Sequence, residues 1–270
     1  MNSNLPIGIF DSGIGGLTVA REIIDLMPNE KIIYFGDTLH LPYGEKSKKK
    51  VINYCLKICQ FLSSKNCKAI VIACNSASSL ALNKIKKEFE EKSIIFNVID
   101  PVINCIKKLE TKKIGVIGTN ATINSKIYED KINCLNDNYI VNSLATPLLA
   151  PMIELGFHDD SIKKKIIATY LKKSELSEIE TLILGCTHYP LIQNEIKEIY
   201  KNKIDIINSL NAIGQFISQK LEKNNLLNRN NIKKTHEFYV SDLTLSFQKS
   251  AKLFFKNKID LKEKNIFDEK

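Results

Sequence analysis

The amino-acid sequence predicts an α/β fold built from parallel sheets. Short apolar segments alternate with longer amphipathic segments along the chain, an order that is typical of strand–helix units. The apolar segments are almost continuously hydrophobic, which favours sheets that helices cover on both faces. Segments from the first half of the chain also resemble segments from the second half. We therefore expect two pseudo-symmetric α/β domains with the active site in the cleft between them.

Nine segments are predicted as strands. Eight of them are short apolar runs bounded by polar or glycine residues, and the ninth lies in the tail of the chain. In chain order the nine segments are residues 7–10, 31–36, 69–74, 93–99, 113–118, 138–144, 181–186, 203–208 and 236–242. Helical periodicity occurs between them, for example over residues 16–27, 161–173 and 212–223.

Two pairs of repeated segments define the expected domains. Gly8 in the first predicted strand matches Gly115 in the fifth, and Cys74 matches Cys186 at a similar offset. The crossing between the halves is predicted near Pro101, because proline disfavours continuation of the element before it. The last segments of the chain can return to pack on the first half. The expected domains are residues 1–99 completed by 209–270, and residues 100–208.

The composition is typical of a globular protein and does not favour nucleic acid or membrane as a partner. Of the 270 residues 44% are hydrophobic, and no apolar run approaches the ~18 residues of a membrane span. The net charge is +9, but Arg21 and Arg229 are the only arginines, whereas nucleic-acid sites usually use arginine for bidentate contacts. The lysines are spread along helical segments and are interpreted as solvated faces.

The cysteine count and the first residues predict a reducing compartment. Residues 1–13 contain neither the basic region nor the apolar region of a signal peptide. Seven cysteines are an odd number, so a complete disulfide framework is excluded, and a functional cysteine would be a thiol or a thiolate. We therefore expect a cytoplasmic protein.

Polar residues follow four of the predicted strands at the points where the chain enters a helix. In parallel sheets these carboxyl ends share one edge, where helix N-termini present backbone N–H groups to a ligand. The four segments are residues 11–13, 74–76, 119–122 and 186–188. Their hydroxyl, amide and N–H groups suit a ligand that carries carboxylates. The glycine segment 13–16 matches neither a dinucleotide fingerprint nor a P-loop, so a nucleotide ligand is not favoured.

Cys74 and Cys186 are the most informative residues, because both occupy the same place in the internal repeat. Each is predicted at a helix N-terminus, which lowers a thiol pKa, and each is followed by polar residues. The other five cysteines are interpreted as buried packing residues: Cys55, Cys59, Cys67, Cys105 and Cys134.

The cysteine pair leaves two chemistries open. The two sulfurs could form a redox couple, or they could flank a substrate, with one removing a proton and the other delivering a proton to the opposite face. His188 follows Cys186 closely and could exchange a proton with it. Asp11 could do the same for Cys74, or it could simply cap the helix that follows.

Four ordered motifs resemble those of the bacterial glutamate racemases, in the aspartate/glutamate racemase family. They are IGIFDSGIGGL (7–17), YFGDTLHLPYG (34–44), ACNSAS (73–78) and LGCTHYP (184–190). The resemblance implies an enzyme that converts L-glutamate to D-glutamate for peptidoglycan and needs no cofactor and no metal. It also implies two pseudo-symmetric α/β domains around the active site, commonly assembled as a homodimer.

The resemblance implies roles for particular residues. Cys74 and Cys186 match the two acid–base catalysts, of which the first takes the α-proton from the D enantiomer and the second from the L enantiomer. Asp11 and His188 match residues that assist them, and Glu154 matches a carboxylate that helps to orient the histidine. The positions that match substrate contacts are Asp11, Ser12, Tyr43, Gly44, Asn75, Ser76, Thr119, Thr122, Thr187 and His188.

One residue departs from the family pattern, and three alternative functions stay open. Ser76 stands where the family usually has threonine, so we expect binding to persist with slightly looser packing. The nearest alternative is an aspartate racemase, which has the same chemistry and a shorter substrate. A cysteine-dependent redox or hydrolytic enzyme is the second, and a non-catalytic ligand-binding protein is the third. Turnover of both amino acids, together with replacement of each cysteine, distinguishes them.

Overall fold

The computed structural model describes residues 2–156, 159–230, 235–255 and 259–267. Within these ranges the strands form two parallel sheets, which confirms the predicted fold class. The strands are β1 (Ile7–Asp11), β2 (Ile32–Gly36), β3 (Ala69–Ile72), β4 (Ile94–Asn97), β5 (Lys113–Gly118), β6 (Ile140–Ala145), β7 (Thr181–Gly185), β8 (Asp205–Asn208), β9 (Glu237–Val240) and β10 (Leu261–Glu263). All nine predicted strands are present. The sequence reading missed β10, which is short and lies in a lysine-rich polar segment.

Helices connect the strands and include the three segments whose periodicity predicted them. The helices are α1 (Gly15–Leu26), α2 (Lys48–Ser64), α3 (Asn75–Phe89), α4 (Ile99–Ile106), α5 (Asn120–Asn124), α6 (Ile127–Asn133), α7 (Leu149–Glu154), α8 (Asp160–Leu171), α9 (Gln193–Ile199), α10 (Leu210–Lys223) and α11 (Leu245–Phe254). Short 3₁₀ turns cover Thr38–His40, Tyr43–Glu45, Ser174–Leu176 and Tyr189–Ile192. No helix in the described ranges is long and apolar enough to cross a membrane.

The two sheets share the same central topology. The first sheet has the strand order β10-β9-β2-β1-β3-β4, and the second has the order β6-β5-β7-β8. Four adjacent strands of the first sheet, β2-β1-β3-β4, therefore correspond one to one with the four strands of the second sheet. All the strand pairs are parallel, so the carboxyl ends of each sheet lie at one edge.

The strand register retains the internal repeat that the sequence shows. Gly8 on β1 lies opposite Ile70 on β3. In the second sheet Gly115 on β5 lies opposite Leu182 on β7. Cys74 comes four residues after Ile70, and Cys186 comes four residues after Leu182. Each cysteine thus has the same position relative to the residue that pairs with the repeated glycine. The two thiols therefore stand at equivalent ends of equivalent strands.

Each sheet is covered on both faces, as the continuous apolar strands predict. In the first sheet one face packs against α1, α10 and α11, and the other packs against α2 and α3. In the second sheet one face packs against α7, α8 and α9, and the other packs against α4 and α6. Burial of these apolar faces is the main term that stabilises each half.

The crossing between the halves occurs through α4, and the tail returns to the first half. Buried residues of α4, such as Val102, belong to the core of the second half, whereas Ile213 of α10 belongs to the core of the first. Pro101 lies in the first turn of α4. Backbone N–H groups of the first turn have no acceptor within the helix, so proline removes no helical hydrogen bond there and the helix continues through it. On this packing we propose domains of residues 1–99 plus 209–270 and of residues 100–208.

A buried ion pair fastens the tail to the first half. Lys68 Nζ lies 2.6 Å from Glu30 Oε2, and both side chains are fully buried. The same Nζ donates to the carbonyl of Leu226 at 2.8 Å, while the backbone N–H of Asn228 donates to Glu30 Oε1 at 2.9 Å. Because both charged groups are buried, removing either partner would destabilise the protein more than breaking a surface ion pair would.

The cysteines outside the repeat follow the expectation in part. Cys55, Cys59 and Cys67 are buried packing residues, and burial raises the pKa of the Cys67 thiol to about 12. The expectation was wrong for Cys134, which is exposed just after α6, and Cys105 is only partly buried. Position in the fold, rather than residue type, decides the burial of these two side chains, since Cys105 lies near the end of α4 and Cys134 lies just beyond α6.

Candidate active site

One cavity of about 180 Å³ lies between the carboxyl ends of the two sheets. Its wall contains Cys74 and Cys186, one from each half. The other predicted site residues in its wall are Asp11, Ser12, Tyr43, Gly44, Asn75, Ser76, Thr119, Glu154, Thr187 and His188. Apolar and glycine residues that the sequence reading did not select complete it: Gly13, Leu41, Pro42, Ala150, Pro151 and Leu155. The fold therefore gathers the polar strand ends at one place.

Cys74 lies at the junction between β3 and α3, as the sequence predicts. It is the residue that precedes the first turn of α3, and its Sγ lies 3.5 Å from Ser12 Oγ. Burial, and next the negative charge of Asp11, raise the pKa of the Cys74 thiol well above its ordinary value. The expectation that the helix N-terminus favours a thiolate here was therefore wrong, because burial outweighs the helix dipole. Burial therefore favours the neutral thiol at Cys74.

Cys186 has a different environment, which His188 dominates. The chain after β7 enters the 3₁₀ turn Tyr189–Ile192 rather than an α-helix, and Cys186 Sγ lies 3.5 Å from His188 Nδ1. Burial alone would lower the pKa of His188, but the negative charges of Cys186 and Glu154, with their hydrogen bonds, raise it well above its ordinary value. These interactions favour a protonated imidazole beside the Cys186 sulfur.

Glu154 at the end of α7 orients the histidine and also contacts the first half. Its Oε2 forms a close hydrogen bond with His188 Nε2. The same carboxylate accepts the backbone N–H of Ile14, at 3.1 Å to Oε2 and 3.3 Å to Oε1. A Cβ on Gly13 would lie 2.6 Å from Glu154 Oε2, so any larger residue there would displace this carboxylate. The carboxylate thus joins the two sides of the cleft.

Asp11 at the end of β1 is fully buried and is only half satisfied. Its Oδ2 accepts the backbone N–H of Gly16 at 2.5 Å in the first turn of α1, so the capping role is real. Its Oδ1 is buried and has no hydrogen-bond partner. Burial raises the pKa of Asp11, and the positive charge of His188 offsets part of that rise. The free oxygen leaves the carboxyl available to a cationic group in the cavity.

Hydroxyl groups meet across the cleft on the side of α3 and α5. Ser76 Oγ lies 2.8 Å from Thr119 Oγ1, and these residues belong to different halves. Thr119 Oγ1 also lies 3.1 Å from Thr122 Oγ1. Thr122 is buried behind Thr119 and does not line the cavity, although the resemblance implies a substrate contact there. Its hydroxyl contacts the hydroxyl of Thr119, which does line the cavity.

Tyr43 is held in the cavity wall by a residue that the sequence reading missed. Its hydroxyl donates to Asp37 Oδ2 at 2.5 Å, and Ser241 Oγ donates to Asp37 Oδ1 at 2.9 Å. Asp37 is fully buried and follows β2 directly, much as Asp11 ends β1, so its position at a strand end was the available signal. Through Ser241 the returning tail supports the site.

The site has the groups that proton transfer at a carbon atom requires. Two sulfurs from opposite halves line one mostly apolar cavity, and polar groups with hydrogen-bonding capacity to spare surround them. Such an arrangement can take a proton from one face of a bound molecule and return a proton to the other. In the described part of the chain no cluster of three or more His, Cys, Asp or Glu side chains is placed to hold a metal ion.

Comparison with known proteins places the chain among the racemases, a class of isomerases. The family model described as Asp/Glu/Hydantoin racemase matches residues 19–215. A relative named Glutamate racemase 3, from Caldanaerobacter subterraneus subsp. tengcongensis, is 36% identical over 265 residues, covering 97% of this chain and 95% of the relative. The chain belongs to the Asp/Glu/Hydantoin racemase family.

Solved structures of glutamate racemases are similar to this chain over the whole fold. A glutamate racemase from Francisella tularensis, in complex with D-glutamate, has a TM-score of 0.91 at 34% identity, over 98% of this chain and 99% of that one. The glutamate racemase isoform RacE1 from Bacillus anthracis has a TM-score of 0.90 at 34% identity, over 97% and 98% of the two chains.

Proposed function

We propose that this protein is a glutamate racemase that interconverts L- and D-glutamate, with Cys74 and Cys186 as the two acid–base groups. The observation that carries the proposal is the placement of the two thiols at equivalent strand ends of opposite halves, in the wall of one cavity. Relatives of the same family that carry the name glutamate racemase support the choice of substrate.

The two cysteines exchange roles with the direction of reaction. For L-glutamate, Cys186 takes the α-proton as a thiolate while the neutral Cys74 thiol delivers its proton to the opposite face. One C–H bond breaks and one forms, and the two sulfurs exchange protonation states, so protons balance within the site. To restore the starting state, Cys186 must lose one proton to water and Cys74 must regain one from water. His188, 3.5 Å from Cys186 Sγ, and Asp11, whose charge acts on Cys74, are placed to assist these two transfers. The reverse sequence applies to D-glutamate.

The cavity stabilises the charge that develops when the α-proton leaves. The carbanion forms beside the α-carboxylate, so preorganised donors at this carboxylate lower the barrier more than donors elsewhere. Ser76, Thr119 and Thr187 supply hydroxyl groups, and Asn75 supplies an amide. The unpartnered Oδ1 of Asp11 suits the substrate ammonium group. The apolar wall excludes water, which strengthens each of these interactions.

We propose that these side chains carry out the reaction without a cofactor. Acid–base groups on both faces and donors at the carboxylate are already supplied by the chain itself. Protein that has been treated to strip bound small molecules should keep its full rate. A rate that depends on added pyridoxal phosphate would contradict this part of the proposal.

We further propose, from the family resemblance, that the product serves peptidoglycan synthesis in the cytoplasm and that the protein acts as a homodimer. Expression of the chain should allow a bacterium that lacks D-glutamate synthesis to grow without added D-glutamate. The same strain carrying Cys74→Ser should still need the supplement. Equal growth with both versions would count against the proposed role.

Racemisation of glutamate against aspartate tests the substrate. The purified, reduced protein is incubated with L-glutamate or L-aspartate, with no cofactor added, and optical rotation is followed. We expect decay of rotation with glutamate and little change with aspartate. Faster turnover of aspartate would make the protein an aspartate racemase. Binding of glutamate without any racemisation would favour the binding-protein alternative, and activity that survives in Cys186→Ser would favour the redox or hydrolytic alternative.

A further inference from the structure

Tyr128 lies between the strand ends that carry the two cysteines, although it does not line the cavity. It belongs to α6 in the second half and is 2% exposed. Its ring packs under the end of β7, because a Cβ on Gly185, next to Cys186, would lie 3.3 Å from Tyr128 Cε2. Its hydroxyl donates to Asn75 Oδ1 at 2.7 Å, and Asn75 follows Cys74 in the first half.

This hydrogen bond determines which way the Asn75 amide points. A side-chain amide has an oxygen that accepts and an NH₂ group that donates, so binding the oxygen on one side turns the NH₂ to the other. Burial raises the pKa of Tyr128, so the hydroxyl keeps the proton that it donates. Asn75 Nδ2 is buried and has no hydrogen-bond partner, while Asn75 itself lines the cavity. A buried donor without a partner costs free energy that a ligand can recover.

We propose that Tyr128 is a positioning residue that holds the Asn75 amide with its N–H groups toward a carboxylate of the substrate. The inference rests on the proposed function, since it takes the ligand to be glutamate. A carboxylate only accepts hydrogen bonds, so the unpartnered donor matches it, whereas an amide oxygen in the same place would repel it. Without Tyr128 the amide can rotate to that unfavourable state.

Tyr128→Phe tests the inference because it removes one oxygen and keeps the ring that packs on Gly185. We expect KM for both enantiomers of glutamate to rise about tenfold or more, as for a lost hydrogen bond to a charged group. The effect on kcat should be smaller, because the two thiols keep their places. Tyr200→Phe is the matched control. The Tyr200 hydroxyl bonds a carbonyl of the second half at 3.4 Å and does not line the cavity, so its KM should be that of the wild type.

A double-mutant cycle shows whether Tyr128 acts through Asn75. In an Asn75→Ala background, Tyr128→Phe should change KM no further, because no amide is left to orient. Asn75→Asp gives an independent test, since it keeps an acceptor for Tyr128 and places a carboxylate oxygen where the N–H stood. We expect KM to rise strongly in Asn75→Asp while its melting temperature stays close to that of Asn75→Ala.

Each outcome has a defined meaning. If the wild type does not racemise glutamate, the proposed function fails before the inference is reached. If the wild type is active and Tyr128→Phe keeps the wild-type KM, the inference is overturned. It is also overturned if Tyr128→Phe raises KM equally in the Asn75→Ala background, or if Asn75→Asp binds glutamate as well as the wild type does.

Discussion

Asp11 shows how single residues in this site trade stability for function. Its carboxyl is fully buried, one oxygen has no partner, and burial raises its pKa from the ordinary value of 3.8. The folded state therefore favours the neutral acid, and stability is lost as pH rises and the buried group must ionise. A loss of folding stability of this kind is typical of residues in functional sites.

We expect Asp11→Asn to stabilise the ligand-free protein near neutral pH and to lower its activity. The amide has no ionised form to bury, so the melting temperature at about pH 7.5 should rise by about 2–4 °C, the shift that ~1 kcal/mol gives in a chain of this size. The advantage should shrink as pH falls and disappear below about pH 4, where the carboxyl of the unfolded chain also becomes protonated. The rate should fall by roughly 10²-fold. A melting difference that does not change with pH would contradict the assigned cause.

The sequence predicted those site residues that stand at strand ends, and it missed those that act across the fold. Asp11, Cys74 and Cys186 stand at the ends of apolar strands or within two residues of them, so their shared edge could be deduced from local pattern. Tyr128 lies on a short helix and contacts Asn75 from 53 positions away in the chain, which no local pattern records. The raised pKa of Cys74 was also missed, because its burial depends on the packing of both halves.

Among the secondary-structure elements, the connections after the strands bring the halves into contact. The 3₁₀ turn Tyr43–Glu45 approaches α5 so closely that a Cβ on Gly44 would lie 2.6 Å from Thr119 Cβ. The hydrophobic pattern of the sequence predicted the strands and the long helices, because apolar runs and amphipathic faces can be recognised within short stretches of sequence. The 3₁₀ turn after Cys186 and the short strand β10 did not, because tertiary contacts rather than local preference determine them.

Gly44→Ala should separate the halves at this contact. The added methyl group meets a stiff β-branched side chain, so the halves must shift apart, and we expect kcat/KM for glutamate to fall about 10- to 100-fold. Gly214→Ala in α10 is the matched control. Its Cβ would lie 3.0 Å from Leu26 Cδ2 and 3.4 Å from Glu22 Cγ, both on flexible side chains, and Leu26 is 44% exposed. Equal activity of the two variants would show that the contact at Gly44 does not set the geometry of the cleft.

At the scale of the whole molecule, the chain leaves the first half, builds the second and returns. The first sheet gains β9 and β10 from the tail, and the buried pair of Lys68 and Glu30 holds the returning segment at Leu226 and Asn228. Since the tail also reaches Asp37 through Ser241, its docking supports the wall of the active site. Long-range closure of this kind follows from topology, which the repeat in the sequence only partly indicates.

Lys68→Met should destabilise the protein by about 3–5 kcal/mol, because it leaves the carboxylate of Glu30 buried without its partner charge. Lys84→Met is the control, since Lys84 forms an exposed pair with Glu88 that contributes at most about 1 kcal/mol. Urea unfolding of the two variants measures the difference. A similar small loss in both would show that the buried pair does not hold the tail.

The position of deuterium early in the reaction tests the central claim, that two cysteines act on opposite faces of the substrate. The wild-type protein is incubated with L-glutamate in deuterated water and stopped at low conversion, and both enantiomers are analysed for deuterium at the α-carbon. With two bases, the D-glutamate product carries deuterium while the recovered L-glutamate keeps its original hydrogen, and neither Cys74→Ser nor Cys186→Ser forms product at a comparable rate. Deuterium in both enantiomers from the outset, or full racemisation by either variant, would contradict the account.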